Sequence, residues 1–276
     1  MASDRTCLPA PPKEILLMHH PTAIIHPGAK IADGVKIGAY TIIADDVEIG
    51  EGTEIGNHVN IHSGVRLGKG NVICAGAHLG GDPQDLGFDR SVRTFTIIGD
   101  NNTFRENTNI HRGSLPERPT RIGNGNYLMG TVHLGHDCVV GDNNIFTQGC
   151  VLAGHVHVGN KAFISGLVAV HQFCQVGDYA MLGGCSKIVK DIIPYSMADG
   201  NPSVITGLNA VGLKRAGFSE EQKRAIKNAY KTLFLRGLNI QKGLEELKQL
   251  PATEEVTNII QFIERSKRGI LTNREG

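Results

Sequence analysis

The sequence predicts a mainly β protein: a parallel β-helix of hexapeptide repeats, followed by a C-terminal α-helical domain. Three observations carry this. Aliphatic residues recur at spacing six from Ile25 to Ile188, glycines often follow them directly, and after Ile188 the period gives way to capped amphipathic segments. Neither a helix, with period 3.6, nor a plain strand, with period 2, produces a long strict six.

The repeat opens with Ile25, Ile31, Ile37, Ile43, Ile49, Ile55, Ile61, Leu67, Ile73 and Leu79. It returns at Ile98, Phe104 and Ile110, then runs through Ile122, Leu128, Leu134, Val140, Phe146, Leu152, Val158, Ile164, Val170, Val176, Leu182 and Ile188. Such a ruler implies a triangular coil with three hexads per turn. Each ruler side chain points inward, and glycine or small residues take corners where positive φ is needed. Successive coils stack about 4.8 Å apart, so residues 18 apart lie one above another. Prisms of this repeat type wind left-handed, against the usual crossover rule.

The β-helix is expected over residues 19–192, with two excursions. Between Leu79 and Ile98 the phase slips by one, so a loop near 80–96 must leave the coil. Between Ile110 and Ile122 the phase is kept, but residues 112–120 replace one hexad and Pro116 falls on the ruler. Loops leaving a rigid rod are where function concentrates. Residues 193–276 read as a linker and then helices. Ser219 with Gln222 forms a capping box, Gly237 ends that helix, and Asn239 and Thr253 cap two more. Val256, Ile259, Ile260 and Ile263 make a packing stripe. Residues 1–18 read as a flexible arm.

The 28 basic and 27 acidic residues are mixed, for a formal charge of +1. That opposes nucleic-acid or membrane-surface binding, which favours a basic stripe. No apolar run is long enough to span a bilayer, and the N-terminus lacks the pattern of a signal peptide. The six cysteines, Cys7, Cys74, Cys138, Cys150, Cys174 and Cys185, show no CxxC spacing and read as reduced thiols of a cytoplasmic protein.

Chemistry concentrates in "HLGHDC" at 133–138. His155 lies 19 residues after His136, and His171 lies 16 after His155, so the three should stack along one corner or edge. Hexapeptide prisms include zinc hydrases, which use three neutral imidazoles, and acyltransferases, which use one imidazole as general base. The hydrase pattern takes two ligands five apart. His133 and His136 are three apart, with no histidine five from either.

"HLGHDC", "LAGHVHVG", "AVHQFC", "MLGGCS", "HRG" at 111–113 and "PQDL" at 83–86 stand in an order that resembles the UDP-N-acetylglucosamine O-acyltransferases, which catalyse the first step of lipid A synthesis. The resemblance covers nearly everything from Met18 onward. It implies transfer of an (R)-3-hydroxyacyl group from acyl carrier protein to the glucosamine 3-hydroxyl of UDP-N-acetylglucosamine, with no cofactor and no metal. By the same resemblance, His136 is the general base, Asp137 orients it, and the Gly154 N–H faces the thioester oxygen. His111, His133, His155, His171 and Gln172 line the sugar and acyl groups. Gln84 and Asp85 grip the substrate from a neighbouring subunit, Asn209 and Arg215 hold the nucleotide end, and Met181 and Gly184 line the acyl groove. Three positions depart from the family pattern, with Gly87 for a usual lysine, Val211 for glutamate and Ala216 for arginine.

Those departures keep a 3-amino sugar acceptor open as an alternative, beside transfer to the 2-amine, a γ-type carbonic anhydrase and a non-catalytic rod. A solenoid has no pocket of its own, so a homotrimer with sites between subunits is expected. Cys138 as an acyl carrier loses to packing, because nothing marks it as activated.

Overall fold

The computed structural model describes residues 18–273, so the expected arm lies outside the described residues apart from Met18. These residues form 27 strands, most only two residues long, and four helices. The strands stack into three parallel sheets that wall a triangular prism. The first has nine strands, from Ile24–Ile25 to Lys187–Ile188; the second has eight, from Lys30–Ile31 to Gln175–Val176. The third runs from Lys36–Ile37 through Met181–Leu182 and ends on two more strands, Ser196–Gly200 and Ser203–Leu208.

Ruler residues pair with ruler residues one coil away, as in Ile25 with Ile43, and Leu134 with Leu152 and then Val170. From Ile37 onward they are buried, while Ile25 and Ile31 at the open end are half-covered. Burying each such side chain is worth about 1.5–3 kcal/mol, which suffices to hold strands too short to stand alone. A second inward column lies two residues before the ruler, and it contains Cys138, Cys150 and Cys174. In the third sheet this column is a ladder of buried amides. Asn71, Asn102, Asn126 and Asn144 each accept the backbone N–H of the next coil, at 2.8–2.9 Å. Each ladder oxygen thereby stays satisfied inside the core.

The corners are less dependent on glycine than expected. Among the described residues, fifteen other than glycine have positive φ, including Asp46, Asp137, His155 and Phe173. Many are Asn, Asp or His, which tolerate the left-handed region better than most residues.

Both excursions leave one edge, between the first and second sheets. Leu67 pairs with Ile98, which places extra residues between His78–Gly81 and Thr96–Ile98. Ile110 pairs with Leu134, 24 residues on rather than 18. The residues around Pro116 are therefore an added loop, and Pro116 itself is exposed rather than a ruler residue.

The stretch read as a linker also differs. Ile192 bridges to Val176, and Ser196–Gly200 pairs in parallel with Met181–Leu182, so the prism continues through it. A hairpin with Ser203–Leu208 then covers that edge. The helices α1 (Ala210–Arg215), α2 (Glu220–Phe234), α3 (Ile240–Leu247) and α4 (Glu254–Arg265) follow. Ser219, Asn239 and Thr253 cap α2, α3 and α4, and the Ser219–Gln222 box is complete. The first of these helices went unread in the sequence because it is only six residues long. Asn258 ties α4 to the prism by donating to Asp178 and the Tyr195 hydroxyl, at 2.9 and 3.0 Å.

Candidate active site

The edge between the first and second sheets carries, coil after coil, the 82–95 loop, the 112–119 loop, and the turns holding His136, His155 and His171. Extending the register places His136, Gly154 and Gln172 in one column, and Asp137, His155 and Phe173 in the next. The three histidines share the edge, as expected, but occupy three different columns, because offsets of 19 and 16 are not 18.

His136 Nδ1 lies 2.5 Å from Asp137 Oδ2. With Nδ1–H donating to the carboxylate, Nε2 carries the free lone pair. The carboxylate is well fixed. Its Oδ1 accepts the Ser114 N–H at 2.9 Å, and the Asp137 N–H donates to Thr120 Oγ1 at 2.9 Å. Ser114 and Thr120 belong to the second loop and the strand after it, so that loop holds Asp137 in place. Burial alone would raise the Asp137 pKa, but the bonds from His136 and Ser114 outweigh it and hold the carboxyl below its usual range. Oδ2 also lies 3.6 Å from His155 Nε2. His155 meets His136 edge-on and stacks on Phe173 with ring centres 4.5 Å apart.

Gly154 belongs to the coil next to His136. A Cβ there would come within 2.7 Å of His136 Nε2, so only glycine admits the imidazole in this position. The Gly154 N–H has no hydrogen-bond acceptor among the described residues. The Nε2 lone pair and a free donor thus stand on adjacent coils of one edge. That suits a hydroxyl being deprotonated beside a carbonyl gaining negative charge.

His111 and His133 pack together at 5.1 Å. Burial pushes His133 down to about 4, with His111 adding to the effect, and burial also lowers His111. Both are therefore neutral near pH 7. His111 Nδ1 donates to the Asp82 carbonyl at 2.5 Å, and its buried Nε2 finds no partner among the described residues, leaving an acceptor for a substrate donor. His171 and Gln172 are exposed on the last of these turns, with His171 Nδ1 3.4 Å from Arg268.

Gln84 and Asp85 stand exposed at the tip of the first loop. That loop hangs from the same edge as His136 of its own chain, and the Asp85 charge acts on His155. Asn209 caps α1, and its amide nitrogen donates to the Tyr179 carbonyl at 2.8 Å, so both ends of the amide are occupied. Arg215 ends α1 beyond the third sheet, away from the His136 edge. Met181 stands on the third sheet and Gly184 in the turn between the third and first sheets, so one chain does not bring them to His136. Sequence reasoning missed Phe173, although it lies 18 residues after His155. It also missed Ser114 and Thr120, which sit at the ends of an aperiodic insertion.

His136, Asp137 and His155 present ligand-type atoms within 4.8 Å of one another. A bonded imidazole–carboxylate pair is also what a general base requires. On the second-sheet side a groove of about 630 Å³ opens from Asp137, His155 and Phe173. A comparable cavity of about 580 Å³, lined by Ala216 among others, lies on another edge.

Comparisons with known proteins sharpen this picture. A family model described as "Udp N-acetylglucosamine O-acyltransferase; Domain 2" matches residues 191–271, and one described as "Bacterial transferase hexapeptide (six repeats)" matches 119–154. An acyl-[acyl-carrier-protein]–UDP-N-acetylglucosamine O-acyltransferase of Thiobacillus denitrificans is 49% identical over 254 residues, covering 91% of this chain and 98% of that one. The chain belongs to the UDP-N-acetylglucosamine O-acyltransferase family. Its Aliarcobacter butzleri relative is 47% identical over 93% of this chain and 98% of that one. The crystal structure of the family's Moraxella catarrhalis member superposes with a TM-score of 0.90 at 43% identity, covering 92% of this chain and 100% of that one. The Francisella novicida member gives 0.91 at 39% identity, covering 94% and 95%. The fold is accordingly a left-handed parallel β-helix with a C-terminal helical domain, as in these acyltransferases. None of the described helices is long and apolar enough to cross a membrane.

Proposed function

We propose that this chain transfers an (R)-3-hydroxyacyl group from acyl carrier protein to the 3-hydroxyl of UDP-N-acetylglucosamine, the opening step of lipid A biosynthesis, in the cytoplasm. The observation that carries this reading is the His136–Asp137 pair, with Nε2 set against Gly154 on the next coil. Nε2 takes the proton of the acceptor hydroxyl as its oxygen attacks the thioester carbon. The carbonyl oxygen becomes an oxyanion facing the Gly154 N–H. Collapse expels the carrier thiolate, which takes the proton back from the imidazolium, leaving an ester and a free thiol. Asp137 stabilises the imidazolium while it exists. No enzyme nucleophile is needed, and Cys138 is unsuited to be one: burial pushes its thiol up to about 12.

The proposal includes a homotrimer. The second sheet's outward residues include Lys30, Glu48, Arg66, Arg121 and His157, which suit solvent. The exposed large apolar residues Ile24, Ile42 and Val151 lie on the first sheet, and Val72, Ile145 and Phe163 on the third. Covering these faces in a closed ring would bring one copy's third sheet, which carries Met181, against the next copy's first sheet, which ends at the His136 edge. Acyl groove and base then meet across the interface.

The test is transfer from a panel of hydroxyacyl carrier proteins to UDP-N-acetylglucosamine and to its 3-amino analogue. His136→Ala should lower the rate by about 10²–10⁴-fold without unfolding the protein. Activity within a few-fold of the parent would remove His136 as base. Sedimentation showing an active monomer would remove the trimer. Chelation should leave the rate unchanged, whereas a loss restored by zinc would favour the hydrase.

A further inference from the structure

The 82–95 loop is held at both ends by charge clusters that join it to the prism. At its start, Asp82 binds Arg112 at 2.8 Å and Arg90 at 3.1 Å, and the Arg112 guanidinium lies over the Phe88 ring at 5.4 Å. At its end, Arg93 grips Asp46 with two bonds, Nε to Oδ2 at 2.8 Å and Nη2 to Oδ1 at 2.7 Å. Asp46 also accepts from Arg66 at 2.5 Å, and the Phe95 ring has the Arg66 and Arg93 guanidinium groups at 5.2 and 5.0 Å. The tip between these anchors is bare. Leu86 is fully exposed, and among the described residues the Asp85 carboxylate accepts only the Gly87 N–H within its own turn.

We infer that Asp46 and Arg93 are positioning residues that aim the Gln84–Asp85 tip at the His136 edge. Asp46 sits on the same edge as His136, in a turn before the loop, and touches none of the reacting groups. Arg93 is largely exposed, so the pair stabilises the fold little. Its geometric effect is large. A planar guanidinium bound at two points, with an aromatic ring beside it, leaves the loop one direction of exit. Without it the tip would swing between the Asp82 anchor and Phe95, whose carbonyl accepts the Gly113 and Thr120 N–H groups. This inference rests on the proposed transferase reading, in which the tip contacts the substrates.

The experiment compares the full-length parent with Arg93→Gln, Asp46→Asn and Arg93→Lys. Each is assayed for transfer kinetics, pH profile, melting temperature and limited trypsin cleavage after Arg90. Arg93→Gln and Asp46→Asn should speed cleavage at Arg90 and lower kcat/KM on the order of 10-fold or more, as misplacement of a substrate contact does. In Arg93→Gln the melting temperature and the pH profile should stay as in the parent. Arg93→Lys, which keeps one charged bond, should recover most of the loss. Unchanged cleavage at Arg90 overturns the inference, since the loop would then be held without the pair. Faster cleavage with unchanged kinetics overturns it too, and so does a kinetic loss that tracks a falling melting temperature. If the parent itself fails to acylate UDP-N-acetylglucosamine, it is the functional reading that falls, and the cleavage result still judges the clamp.

Discussion

Replacing Gly154 by alanine probes the active site with a single methyl group. Gly154 lies outside the left-handed region, so alanine fits the backbone. The methyl carbon would lie 2.7 Å from His136 Nε2 and 2.8 Å from Cε1, where ordinary contact begins near 3.4 Å. The ring must therefore retreat by about 0.7 Å. It cannot do so while keeping its 2.5 Å bond to Asp137, which is itself fixed by Ser114 and Thr120. A displacement of about 1 Å at a reacting group can cost 10²-fold in rate, or about 2.7 kcal/mol in the barrier. Stability should change little, because the imidazole stands at an edge and can swing toward solvent. Steady-state kcat and a thermal melt on Gly154→Ala separate the two effects. The double variant with His136→Ala checks the cause. If the methyl acts through the imidazole, it adds nothing once the imidazole is gone. A Gly154→Ala enzyme with nearly the parental rate, or a double variant whose losses multiply, would refute this account of the base.

Gly184→Met should keep the fold and shift preference toward shorter hydroxyacyl donors. Gly184 has no positive φ, a Cβ there meets nothing closer than the Gly166 carbonyl at 3.5 Å, and each displaced methylene is worth about 0.8 kcal/mol; a donor panel reads the shift, and an unchanged preference would remove Gly184 from the groove. His133 sets a pH slope. Its folded pKa of about 4 lies below the ordinary 6.5, so the unfolded chain binds the proton first and stability falls as pH drops from 6.5 toward 4. His133→Asn should flatten that slope in denaturant titrations. At pH 8, iodoacetamide should spare Cys138 in the folded protein and label it once denaturant unfolds the chain, and Cys138→Ala should keep its transfer rate, as peptide mapping and the transfer assay will show.

Much of the architecture was legible because a solenoid turns sequence period into spatial contact. Leu134, Leu152 and Val170 are 18 apart in sequence and adjacent in space, so the ruler could be read without tertiary information. The second inward column was equally periodic and went unread, and it accounts for Cys138, Cys150 and Cys174 as core. The apparent linker misled because its single strand follows no hexad, yet its backbone completes the third sheet.

By itself, the sequence determined the inward residues, the excursion sites, the helix caps and the edge that gathers the histidines. Each of these depends on local chemistry or on a repeating offset. Only the tertiary structure decided what happens within that edge. Whether His136 points its Nε2 at Gly154 depends on Asp137 being locked by a loop of irregular length. Whether the Gln84–Asp85 tip faces the same edge depends on Asp46, 47 residues before Arg93 and outside any period. Contacts of this kind join residues at unique separations, and a repeat carries no information about them.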